Sequence, residues 1–424
     1  MSKFFVDYKT RYYPNTLISG ILSDPQVYST KSIAKYDDIK FPTTTPADNF
    51  HNGVSLQKSD IIFIRLKEGF TGIDISGFQG CERLKTIELS SNLIDTIGNN
   101  AFEDCSGLEN IILPSKVTKI DNHVFKNCTS LKNLDIPETI TSIGTGAFFK
   151  CTSLKNLDIP ETVTSIGTGA FSNSGLEEIP DTNGVTYICE RQYEKCYQLK
   201  NITIKNYITS IGNMAFYDCS GIETITIPNT VENMGFSVFY GCKSLTQVNF
   251  QTTNTNNFNL IDICNNLFSY CGKLKTIQIP DNVETIGENA FEQCSSLDSI
   301  VFPESIHTIK IGAFNNCSSL ESINIPESVK NISESVFWNC NSLKSINFHP
   351  VIKDIKSYAF EECNGLQSLL LPKDISNVED GAFYSCSHLK NILVGDAIIN
   401  NQGNDTFYDI SSNPNIYIYK ETEI

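Results

Sequence analysis

One spacing constrains this chain more than any other feature. Cys105, Cys128 and Cys151 lie 23 residues apart, as do Cys196, Cys219 and Cys242, and so do the six from Cys271 through Cys294, Cys317, Cys340 and Cys363 to Cys386. A fixed period of about 20 to 50 residues marks a solenoid, in which each turn of the chain is one repeat. The clearest repeat is 128–150, CTSLKNLDIPETITSIGTGAFFK. Residues 151–173 copy it with three changes: Ile140 becomes Val163, Phe149 becomes Ser172 and Lys150 becomes Asn173. So close a tandem copy means that one unit can serve at more than one place in a stack.

Aligning the units gives the template C-x-x-L-x-x-[IL]-x-[IL]-P-x-x-[VI]-x-x-I-G-x-x-A-F-x-x. Leu131, Leu134 and Ile136 fill its first apolar slots, and Ile140, Ile143, Ala147 and Phe148 the later ones. Fourteen units follow one another from Cys81 to the unit that begins at Cys386. A degenerate first unit, 58–80, places Ile61, Ile64, Leu66, Phe70, Ile73 and Phe78 in the apolar slots, and a degenerate last unit, from about residue 409 to 424, keeps Ile416 and Ile418. Atypical ends are expected of a stack, because the terminal repeats have no neighbour to cover their core. About sixteen units of 23 residues thus account for residues 58–424, and they replace the two or three globular domains that 424 residues would otherwise suggest.

The fifteen cysteines then divide into two columns. Thirteen stand in the framework slot, where Ser174 substitutes in one unit. Cys189 and Cys264 each precede a framework cysteine by seven residues, in the slot that Gly144, Gly167 and Gly287 hold elsewhere. A free cysteine behaves as a small, commonly buried hydrophobe, so the main column is expected to face the core as reduced thiols. Equivalent slots of a solenoid run parallel and do not converge as zinc ligands must, so no metal or cofactor is expected.

Each unit reads as a short strand, L-x-x-L-x-I, with alternate side chains inward and a proline that stops the ladder. The stretch V-x-x-I-G-x-x-A-F returns the chain as a second short strand or a helical turn. The expected fold is an α/β solenoid, a curved rod with one parallel sheet, roughly 75 Å long at about 4.8 Å per strand. Residues 1–57, rich in Tyr, Thr and Pro, are expected to cap its N-terminal end.

The units resemble the BspA-like leucine-rich repeat, also called the Treponema pallidum type; the resemblance rests on IPETVTSIGTGAF followed by C-x-S-L-K-x-I-x-I and covers roughly residues 58–424. It implies a non-catalytic, protein-binding surface adhesin or antigen, secreted or on the cell surface, with host matrix proteins such as fibronectin and fibrinogen among the implied partners. The first residues, MSKFFVDYKTRYYP, hold no uninterrupted apolar stretch of the kind a secretory signal needs, so an intracellular interaction scaffold stays open as the alternative.

Composition narrows the partners. A net charge of −16 repels nucleic-acid phosphates, and no apolar run is long enough to span a membrane, so a protein partner is the expectation. The five histidines fall in different slots, no nucleophile or phosphate-loop motif is present, and no catalytic role is expected. Partner contact is expected on the outward strand positions Thr203, Thr226, Asn249, Gln278, Val301, Asn324, Asn347, Leu370 and Leu393, which a solenoid sets on one extended surface. Leu370, Leu393 and Val301 stand out, because apolar residues facing solvent in a group mark interaction sites. Two insertions, DTNG at 181–184 and QTTNTNNFN at 251–259, are further candidates, since inserted loops of repeat proteins gather on one face.

Overall fold

The structure is a computed structural model and describes residues 5–7, 33–34, 63–66, 70–89, 93–251, 260–394, 405–411 and 414–418. The chain is a solenoid of about 14 turns with some 23 residues in each. It groups into two compact units, 1–199 and 200–424. Most of 1–57, and the second insertion from residue 252 to 259, lie outside the described residues.

In the first unit, front strands Phe63–Leu66, Thr86–Leu89, Asn110–Ile112 and Asn133–Asp135 pair in parallel. Phe5–Asp7 adds to their N-terminal edge antiparallel, with Val6 opposite Ile64. Back strands of two residues form a second column: Ile33–Ala34, Gly72–Ile73 and Thr96–Ile97, then Lys119–Ile120, Ser142–Ile143 and Ser165–Ile166. In the second unit the front strands are Asn201–Thr203, Thr224–Pro228 and Gln247–Gln251; Thr276–Gln278 with Ser299–Val301; Ser322–Asn324 with Ser345–Asn347; and Ser368–Leu370, Asn391–Val394 and Asn415–Ile418. Its back column is built in the same way, for example Asp262–Ile263, Thr285–Ile286 and Thr308–Ile309. The expected single sheet is therefore two columns of strands.

No helix occurs among the described residues, so the α component of the expected fold is corrected and the return is a short strand followed by tight turns. Left-handed residues explain it. Each unit places two of them around the A-F pair, such as His123 (φ 56°) with Asn127 (φ 61°) and Gly146 (φ 57°) with Lys150 (φ 60°). A helix tolerates no such residue in its interior, where the left-handed conformation costs about 1–2 kcal/mol. Hydrogen bonds to the next turn offset that cost: His123 N–H donates to Thr145 C=O at 2.9 Å, Phe125 to Ala147 at 2.9 Å and Asn127 to Phe149 at 2.8 Å. The intervening amides close the turn locally, Lys126 to His123 at 3.2 Å and Cys128 to Phe125 at 3.0 Å.

The core consists of columns. Phe78, Phe102, Phe125, Phe148, Phe171 and Tyr193 stack with centroids 5.5–5.8 Å apart in the first unit. Phe216, Phe239, Phe268, Phe291, Phe314, Phe337, Phe360, Phe383 and Phe407 do so in the second, at 5.2–5.7 Å. Beside the rings run the framework thiols. Cys128 Sγ donates to Phe102 C=O at 3.2 Å, Cys151 to Phe125 at 3.1 Å, Cys317 to Phe291 at 3.2 Å and Cys386 to Phe360 at 3.1 Å. Each such carbonyl also accepts the N–H of the Cys three residues on, as Phe102 does from Cys105 at 3.1 Å and Phe125 from Cys128 at 3.0 Å. A cysteine in this slot therefore fills a small apolar hole and satisfies the second lone pair of a buried carbonyl, which neither Ala nor Val could do.

A candidate partner-binding face

The front strands carry an exposed, buried, exposed alternation that separates function from packing. In Asn201–Thr203, Thr276–Gln278, Ser299–Val301, Ser322–Asn324 and Ser368–Leu370 the middle residue is buried and its two neighbours face solvent. All nine expected positions are outward on this face. Thr203, Gln278, Val301, Asn324, Asn347 and Leu370 are exposed, while Thr226, Asn249 and Leu393 are half-buried.

Hydrogen bonding sorts them further. Asn249 Nδ2 donates to Thr226 Oγ1 at 3.5 Å, and Asn347 Nδ2 donates to Asn324 Oδ1 at 2.7 Å. These rungs pair with each other along the ladder, which is a structural use for them. Leu370 and Leu393 cannot do so. They sit opposite each other in register, and Leu393 sits opposite Tyr417 on the next strand. Leu370 is 58% exposed and Tyr417 54%, so three successive rungs present apolar and aromatic side chains to water. Val301 stands alone, 76% exposed, beside Gln278.

Tyr417 was not among the expected residues. Its unit is degenerate: Ile416, opposite Ile392 in register, is itself 55% exposed, so the alternation that marks the other front strands does not single out Tyr417, and only the register with Leu393 does. A second aromatic group lies on the turns beyond the Phe column, where Tyr217 stacks on Tyr240 at 4.8 Å and Tyr240 meets Tyr270 at 5.0 Å. Burial, and then the neighbouring phenols of Tyr270 and Tyr217, push the Tyr240 hydroxyl up to about 12.

The first unit differs in kind. Its outward front positions hold Glu88, Ile112 and Asp135, and Ile112 is 77% exposed. A groove of about 250 Å³ runs over Gly146 and Gly169 between His123 and Arg191. Its cations are already paired: Lys126 with Glu103 at 2.7 Å and Arg191 with Glu194 at 3.1 Å. Of the insertions, 181–184 is described and holds a buried Thr182, with Asn183 Nδ2 donating to Glu161 Oε1 at 3.1 Å.

The thiols offer no chemistry at this face. All fifteen cysteines are free, thirteen of them buried. Burial pushes Cys196 up to about 11 and Cys294, Cys340 and Cys386 up to about 12. Cys189 and Cys264 are half-buried, and their thiols donate to Ile166 C=O and Met234 C=O, each at 2.9 Å. Among the described residues no cluster of three metal-ligating side chains occurs, and no helix is long and apolar enough to cross a membrane.

Comparison with known proteins agrees with this architecture. The profile of the BspA type leucine rich repeat region matches residues 52–177, 170–261, 261–390 and 342–424. No curated protein matches the chain. Among solved structures, a leucine-rich repeat protein from Bacteroides ovatus is 23% identical with a TM-score of 0.65, over 87% of this chain and 94% of that one. A leucine-rich repeat protein from Eubacterium ventriosum is 19% identical over 85% and 92% of the two chains, TM-score 0.46. A leucine rich cell surface protein from Faecalibacterium prausnitzii is 26% identical over 66% and 76%, TM-score 0.40. With the profile covering nearly everything from residue 52 onward, this chain belongs to the BspA-type leucine-rich repeat family.

Proposed function

We propose that the chain is a non-catalytic protein-binding repeat protein, a surface adhesin or antigen that engages a protein partner through the exposed face of its front strands. The observation that carries this reading is the row Leu370, Leu393 and Tyr417, apolar or aromatic and in register on a face that is mainly hydroxyl and amide. Grouped apolar side chains that face water mark interaction sites, and aromatic residues are the usual anchors of such interfaces. The repeat supplies the rest: a rigid scaffold that holds many outward positions in fixed register. Burial shields the thirteen framework thiols from oxidant in any compartment, so their reduced state is compatible with display outside the cell.

The test is direct. Surface-immobilised fibronectin and fibrinogen are titrated with the full chain and with Leu370→Asp/Leu393→Asp. The double variant should bind at least about tenfold more weakly with an unchanged circular-dichroism spectrum. Equal binding by the variant removes this row as the contact. Labelling intact producing cells with a membrane-impermeant reagent tests placement, and a chain that takes no label ends the adhesin reading.

A further inference from the structure

The same face carries a cleft with a chemistry of its own. It holds about 390 Å³ and lies where the front strands Thr276–Gln278 and Ser299–Val301 run into their proline turns. Ile279, Val301 and Phe302 line it together with Gln278 and Ser305, and so do the acids Asp281 and Glu304. Val301 is the most exposed of the large hydrophobic residues described in the second unit, at 76%. The Phe302 ring makes an edge contact with Phe314, centroids 5.7 Å apart, which holds that part of the lining.

The acids repeat with the solenoid. Asp281, Glu304 and Glu327 each follow the strand-ending proline, at Pro280, Pro303 and Pro326, on three successive turns. All three are exposed. Glu327 Oε1 meets His349 Nε2 at 3.6 Å, whereas Asp281 and Glu304 carry no ion pair among the described residues. Like charges stacked at the spacing of neighbouring strands repel one another, and a cationic ligand relieves that repulsion while an anionic one adds to it.

We propose that this cleft seats an extended segment of the protein partner in which an apolar side chain is flanked by arginine or lysine. The apolar side chain covers Val301 and Phe302, and the flanking cations pair with Asp281 and Glu304. Charge complementarity selects this occupant over a second copy of the chain, whose own net charge is −16. The inference rests on the front face being a protein-binding face, and it names the kind of segment that one part of that face takes.

Fluorescence anisotropy with the full chain and three labelled dodecapeptides tests it. The peptides share a Gly/Ser frame around a centre of Arg-Leu-Arg, Glu-Leu-Glu or Arg-Gly-Arg. The Arg-Leu-Arg peptide should bind at least about tenfold more tightly than the other two, and its affinity should fall as salt rises. Asp281→Asn/Glu304→Gln should weaken it about tenfold, and Asp281→Lys/Glu304→Lys should turn the preference toward Glu-Leu-Glu. Undetectable Arg-Leu-Arg binding, equal binding of the acidic peptide, or no response to the charge variants would each overturn the proposal. Leu370→Asp/Leu393→Asp should leave peptide binding unchanged, because those residues lie outside the cleft. A cleft that fails while the matrix-protein assay still responds to Leu370 and Leu393 therefore sinks this inference alone.

Discussion

At the scale of single residues, the framework cysteine is legible as a register mark and less legible as a donor. Its period follows from the 23-residue spacing, because a buried column needs an equivalent side chain on every turn. Its bond to the preceding turn's Phe carbonyl depends on where that carbonyl points, which no spacing reveals. The bond makes the slot costly to change. Cys317→Ala should lower stability by about 1–2 kcal/mol, since it leaves a small cavity and one carbonyl lone pair unmet, and equilibrium urea unfolding measures it. Reactivity follows from the same burial. A disulfide-exchange reagent at pH 7.5 should modify Cys189 and Cys264 slowly and the thirteen framework thiols hardly at all, while in denaturant all fifteen react. Fast native modification of many thiols would show that the column is open to solvent. The outward positions show a similar division. Their alternation with buried residues places Thr226 and Asn324 on the exposed face, yet the pairing of each with Asn249 or Asn347 is a matter of contact and not of pattern.

At the scale of the repeat, the strand was readable and the return was not. The proline and the two-residue alternation mark the front strand in most units. The return places Ile140, Ile143, Ala147 and Phe148 at relative positions 0, 3, 7 and 8, a spacing that suits one face of a helix as well as a turn of a solenoid. Gly146 and Lys150 in left-handed conformation decide against the helix. Lysine, asparagine, histidine and tyrosine all hold such positions here, so residue type signals them poorly. The duplicated unit 151–173 offers a test of interchangeability. Its inward slots match those of 128–150 residue for residue except Val163, so removing it should preserve cooperative unfolding with only a modest loss of stability. Collapse to a loosely packed state would show that the two copies are not equivalent. The copy is already distinctive in one respect: Asn156, Leu157 and Asp158 keep the exposed, buried, exposed alternation without strand pairing.

At the scale of the whole molecule, the columns make stability a collective property with a sign in pH. Burial raises the folded thiol pKa values to about 11 at Cys196 and about 12 at Cys294, Cys340 and Cys386, above the roughly 8.5 of an unfolded cysteine. The unfolded chain therefore loses these protons first, and the stability they contribute is complete below about pH 8.5 and falls as pH rises toward 11–12. Each such thiol should remove roughly 1 kcal/mol per pH unit within that window, so the urea midpoint should drop steeply between pH 8 and pH 10. A midpoint that stays flat there would mean that the thiols are not buried together. The net charge of −16 speaks to partners and not to fold. Hydroxyl-radical footprinting of the full chain, free and saturated with immobilised fibronectin or fibrinogen, tests that face most directly. Loss of oxidation at Leu370, Leu393 and Tyr417, with Tyr217, Tyr240 and Tyr270 unchanged, is the predicted result. Protection of the Tyr217–Tyr240–Tyr270 row with Leu370 and Leu393 still oxidised would contradict a binding face on the front strands.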